Sequence, residues 1–167
     1  MPKTYTPIAT QTHPGGGGVI TFSSIPQIYT DLVVVINCGI AGTGGSMYIR
    51  LNGDTGTNYS QTFMRGSGSA ASSARTSNLG LMYIDYHGPT LGSRNSNYVL
   101  QLNSYSNTTT HKTILARTNA IVGSGTGIEF HAGAWRNTAA VTSLTIGPTG
   151  GNIFNGSTFT IYGILRA

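Results

Sequence analysis

At 167 residues the chain is long enough for one domain with a real core, without disulfides or metal. Only 8% of its residues are charged, against about 25% in an average soluble protein, and Gly, Ser, Thr and Asn fill the difference. One cysteine rules out an intrachain disulfide framework, the net charge of +5 is spread without a basic run, and four carboxylates leave little material for acid–base catalysis.

A neutral polar surface is cheaper to desolvate than a charged one, so the composition suits a chain packed against copies of itself or other proteins. The dispersed basic residues argue against specific nucleic-acid binding. The opening Met-Pro-Lys-Thr-Tyr holds no apolar leader, and no stretch reaches membrane-spanning length. Synthesis in a host cytoplasm, without a signal peptide and with no membrane partner, is therefore expected.

No window carries the i, i+3, i+4, i+7 spacing of an amphipathic helix. Short β-branched and aromatic runs alternate instead with turn clusters. The first expected strand is Thr4–Thr10. Gly15–Gly18 then sets residues 1–18 apart, as a strand with a loop or as an arm exchanged with a neighbour. Val19–Ile25 and Asp31–Cys38 follow. Leu32–Ile36 is apolar at every position, which predicts a central strand covered on both faces, one of them by a neighbouring subunit. Cys38 reads as a small buried hydrophobe. Met47–Asn52 alternates and ends in Asn52-Gly53-Asp54, a hairpin-turn sequence. Ser60–Arg65 is the next strand, and the polar stretch Gly66–Ser77 reads as a long exposed loop.

The second half continues with Leu79–Tyr86, Asn97–Tyr105 and Lys112–Asn119. In Gly127–Trp135, Ile128, Phe130, Ala132 and Ala134 form an apolar face expected to point inward, opposite Glu129, His131 and Trp135. Val141–Ile146 and Ser157–Leu165 close the chain, separated by Gly147–Gly151 and Asn155-Gly156. About eleven short strands without significant helix predict a single all-β domain over residues 1–167, an antiparallel β-sandwich with jelly-roll-like topology. Leu32, Val34, Ile36, Ile49, Leu51, Phe130 and Ile161 are its expected core.

The carboxylates are Asp31, Asp54, Asp85 and Glu129. Asp85 with His87, and Glu129 with His131, share strand faces, yet an ordinary hydrogen bond explains each pair as well as half a hydrolytic site does. His13, His87, His111 and His131 lie far apart without zinc-ligand spacing. The run Asn52–Asn58 alternates oxygen-bearing side chains but lacks the closing Glu of a calcium loop. No enzyme activity, metal or cofactor is expected. Trp135 beside Arg136 suits either sugar stacking or a subunit contact, and the second is favoured because aromatics and Arg concentrate in interfaces. The candidate interface residues are Leu32, Val33, Val35, Ala134, Trp135 and Arg136.

Three stretches taken together, Tyr5–Thr10 with Val19–Val35, Arg50–Ser60 and Gly156–Ala167, resemble a family of small β-rich virion structural proteins of tailed bacteriophages and prophages. The resemblance implies a particle component and no catalytic residue. Its members are capsid decoration (cement) proteins or fibre- and tail-associated proteins. The expectation is a homotrimeric decoration protein on the outer surface of the virion, bound to the major capsid protein or other virion proteins. The alternative is a tail-fibre or head-fibre module that recognises cell-surface glycan.

Overall fold

The computed structural model describes residues 4–41, 45–85, 96–122 and 125–165, and every regular element in them is a β-strand. In chain order the strands are β1 (Tyr5–Thr12), β2 (Ile20–Phe22), β3 (Asp31–Cys38), β4 (Ile40–Ala41), β5 (Met47–Leu51), β6 (Tyr59–Gly66) and β7 (Ala71–Leu79). They continue with β8 (Met82–Tyr83), β9 (Ser96–Asn103), β10 (Lys112–Val122), β11 (Gly125–Trp135), β12 (Leu144–Pro148), β13 (Asn152–Ile153) and β14 (Thr158–Ile164).

The strands form an antiparallel sandwich. An eight-stranded sheet runs β1-β14-β3-β9-β10-β11-β6-β7, and a four-stranded sheet runs β2-β12-β5-β8. A two-stranded ribbon, β13-β4, lies beside them. Alternate residues of the large sheet, such as Leu32, Val34 and Ile36 of β3 with Leu100 and Leu102 of β9, enter one continuous core. Ile20, Phe22, Ile49, Leu51, Leu144 and Ile146 of the small sheet belong to the same core. Each such side chain contributes about 1.5–3 kcal/mol on full burial. Of the seven expected core residues, Leu32, Val34, Ile36, Ile49, Leu51 and Ile161 are buried as expected.

Phe130 is the exception, and it belongs to a larger correction. In β11 the apolar residues Ile128 and Phe130 face outward, while Glu129, His131 and Trp135 face the core. Three contacts fix this sense. Trp135 stacks on Tyr59 at 6.4 Å between ring centroids, inside the sandwich. Gly133 lies against Met82, where a Cβ would come within 2.3 Å of the sulfur. Glu129 and His131 pair with each other at 2.8 Å, and the His131 ring stacks on Phe63 at 5.4 Å. Because side chains alternate strictly along a strand, placing Trp135 and Gly133 inside sends 128, 130, 132 and 134 out.

Two further expectations change. The polar stretch read as a loop holds β7, which pairs with β6 from Gly66↔Ala71 to Tyr59↔Leu79. Its residues 71–78 are exposed, so neither face of this last strand of the large sheet is covered there. Asn52 and Gly53 do have left-handed φ values of 51° and 66°, but the turn leads from β5 in the small sheet to β6 in the large one rather than closing a hairpin. The Asn52 carboxamide anchors it, accepting from Thr142 N at 2.8 Å and donating to Ala140 O at 2.8 Å.

The first strand pairs with the last, β1 with β14 over its whole length. The glycine run folds back on the ribbon side, with Gly15 and Gly16 both at φ +92° and Gly16 bridged to Ile153. The buried His13 holds that return, its Nδ1 accepting from Gly15 N at 3.0 Å.

Candidate interaction surface

The inversion of β11 lays an apolar field on the outer face of the large sheet. The cross-strand registers align one row as Thr160, Val35, Val99, Arg117, Phe130, Met64 and Ser73, from β14 to β7. The next row on the same face runs Tyr162, Val33, Gln101, Leu115, Ala132, Thr62 and Arg75. Met64 is 60% exposed, Ile128 57%, Phe130 51%, Leu115 48% and Val35 40%. Isolated exposed apolar residues are normal on any protein, whereas a contiguous group spanning neighbouring strands marks a contact surface.

The face is also shaped. A depression of about 460 Å³ is lined by Thr62, Met64, Val99, Leu115, Arg117 and Phe130, among others. A second, of about 420 Å³, continues it toward the sheet edge between Met64, Ile128, Phe130 and Ser73. A third, of about 500 Å³, lies between Leu115, Ala132, Ala134 and Arg75.

Arg117 sits in the middle of this field, between Val99 and Phe130 across the strands and two residues from Leu115. Neither Arg117 nor Arg75 makes an ion pair or side-chain hydrogen bond among the described residues. The other described basic side chains of the chain's middle are occupied. Arg50 Nε donates to Gly80 O at 3.0 Å, Arg65 Nε to Ser72 Oγ at 2.8 Å, and Arg136 to Asn78 Oδ1 at 2.8 Å and to Thr57 O. Lys112 is fully buried and donates to Thr110 O and Thr138 O, and burial lowers its pKa.

The expected interface residues fall into three places. Leu32 and Trp135 lie in the chain's own core, so neither reaches a neighbour. Arg136 braces the end of β11 against residues 57 and 78. Val33, Val35 and Ala134 do lie on the outer face, Val33 being covered within the chain and Val35 open. Val99, Leu115, Arg117, Ile128, Phe130 and Met64 share that outer face and were not among the expected residues. The alternation of β6, β9, β10 and β11 was legible in the sequence, but not its sense.

Asp54, Asp85 and Cys38 each have defined surroundings. Asp54 Oδ1 accepts from Gly56 N at 2.8 Å, and Oδ2 accepts from Asn58 Nδ2 at 2.8 Å and Trp135 Nε1 at 2.7 Å. Partial burial raises the Asp54 pKa, but these donors and Arg50 outweigh it and the net direction is down. Three hydrogen-bond donors thus converge on the carboxylate of the loop that resembled a calcium site. Asp85 is buried and accepts from Tyr98 Oη at 2.9 Å; its sequence partner His87 lies outside the described residues. Burial, with the Asp85 charge behind it, pushes the Cys38 thiol up to about 12, the state of an inert core thiol. Among the described residues no three metal-ligating side chains cluster, and no helix is long and apolar enough to cross a membrane. No protein-family model, curated protein or solved structure matches the chain.

Proposed function

We propose that the chain is a structural protein of a tailed-phage or prophage virion, a decoration protein that seats on the outer surface of the capsid lattice and reinforces it. The observation that carries this reading is the inverted β11, which spends core-forming residues on an outward face and buries a Glu–His pair instead. A chain that served alone would gain by the opposite arrangement. The scarcity of charge and the sequence resemblance support the same conclusion. Many weak contacts, multiplied by the symmetry of a shell, supply avidity.

The homotrimer is part of the proposal, and the open edges of the large sheet support it. Among the described residues β1 and β7 each have one unpaired side, and β7 has one charge in nine residues where natural edges usually carry guards. Seven antiparallel pairings separate the two edges, so β7 of one subunit can add antiparallel to β1 of the next. Such a head-to-tail contact closes into a ring under cyclic symmetry, and three-fold closure matches local axes of an icosahedral shell. The fibre reading loses its main support with Trp135 inside the core, where it cannot stack on sugar.

The test mixes the purified chain with undecorated shells and counts copies after sedimentation. Hundreds per particle are expected, and a few tens would move the chain to a fibre. Absence from the pelleted shells would overturn the reading.

A further inference from the structure

We propose that the outer-face depression centred on Arg117 receives an acid-bearing segment of a different protein, which sets a carboxylate on the guanidinium and aliphatic side chains on Val99, Leu115 and Phe130. This rests on the assembly reading above and names the chemistry of its partner. It also excludes the most obvious occupant, a second copy of this chain.

The argument is one of charge. Arg117 stands exposed in an apolar field with no ion pair or side-chain hydrogen bond among the described residues. Covering it with apolar side chains would strand a cation in a low-dielectric contact, which is strongly unfavourable. A sister subunit has little to offer. The chain has four carboxylates. Asp85 and Glu129 are buried, and Asp54 is saturated by three donors in its turn. Asp31 sits at the start of β3, held by Ser104 N at 2.6 Å, away from the Arg117 row. Two- or three-fold packing through this face would also bring symmetry-related Arg117 side chains toward one another. The carboxylate must come from another molecule.

The rest of the lining selects a protein segment over a glycan. Sugars are held by flat aromatics with planar polar groups, but here Phe130 is the one exposed ring lining the depression, among Met64, Val99, Leu115 and Ala132, and the His131 ring is turned into the core. An extended segment with alternate apolar residues around one acid matches a surface whose own side chains repeat every second residue.

The test titrates the full chain, followed by amide NMR, with short peptides that alternate valine and threonine about a central glutamate. A matched peptide carries glutamine instead. Shifts are expected around Val99, Leu115 and Phe130, with binding about fivefold weaker for the glutamine peptide, as one ion pair supplies. Arg117→Met should erase that difference, whereas Ser69→Glu in the distant turn should not; circular dichroism confirms that both variants fold. Equal binding of the two peptides, or none, overturns the proposal. So does a shift of the wild-type oligomer to smaller species on Arg117→Glu, which would make this face a sister contact. The same shifts with sialyllactose, at equal or higher affinity, would assign the site to acidic glycan. Shells bound equally by wild type and Arg117→Glu would leave the virion role standing and remove this face, whereas peptide discrimination without shell binding would do the reverse.

Discussion

Asp54 is the side chain on which one end of the sandwich is fastened. Its two oxygens collect donors from its own turn and from Trp135 at the far end of the chain's longest hairpin. Replacing it by Ala removes charge-assisted bonds of a kind worth about 1–3 kcal/mol. Urea unfolding followed by the emission of Trp135, the single tryptophan, should register that loss. The pH dependence has a definite sign. A carboxylate with a lowered folded pKa contributes stability above its unfolded value, near 3.9, and loses it as pH falls through the folded value. Wild-type stability should therefore decline from about pH 4 downward, and Asp54→Asn should lack that part of the decline. The Glu129–His131 pair makes a second residue-scale prediction. Glu129→Ala leaves His131 in the core without that hydrogen-bond partner and should cost about 1–3 kcal/mol by chemical denaturation. Glu129→Leu combined with His131→Leu should cost less than the single change, because no buried polar group remains at either position.

At the scale of elements, β11 and β7 show opposite ways of departing from expectation. The sense of β11 is checked at Gly133. A side chain at Gly133 would have to displace the buried Met82, so Gly133→Val should destabilise by about 1–3 kcal/mol in thermal melts, an overpacking cost. An outward position would accept valine without loss. β7 is a strand by pairing alone. Its residues 71–78 place nothing in the core, so its backbone bonds to β6 are backed by no buried side chain. Hydrogen exchange read by mass spectrometry should find peptides covering 71–79 exchanging well before those covering 96–103, whose strand β9 sits between β3 and β10. Equal protection in the free chain would mean that the β7 edge is already covered by a neighbour.

The whole molecule has two kinds of unfinished surface, edges and a face, and they separate in experiment. Ala71→Lys with Ala74→Lys places charge on the β7 edge, the usual guard against strand addition, and should convert the proposed trimer to monomer in sedimentation. Val35→Glu lies on the outer face and should weaken shell binding while leaving the trimer intact. Loss of the trimer by Val35→Glu would instead put the subunit contact on the face.

Composition and alternation by themselves determined the fold class and most of the core. With no helical spacing anywhere and β-branched runs between glycine-rich turns, only paired strands could bury enough apolar surface, and Leu32, Val34, Ile36, Ile49, Leu51 and Ile161 were legible from that pattern. The sense of β11 was not, because a period of two marks two faces without saying which is inside. When one face offers Ile128 and Phe130 and the other offers Trp135 and Gly133, hydrophobicity points to the first. The decision came from contacts far along the chain, the Trp135 slot beside Tyr59 and Asp54 and the close approach of Met82 to Gly133. β7 escaped for a related reason, since nothing in Ala-Ser-Ser-Ala-Arg-Thr-Ser favours a strand until β6 supplies a row of unpaired backbone groups. Tertiary structure alone therefore placed the apolar field and Arg117 on the outside, because strand pairing and close packing act between residues whose proximity no local pattern encodes.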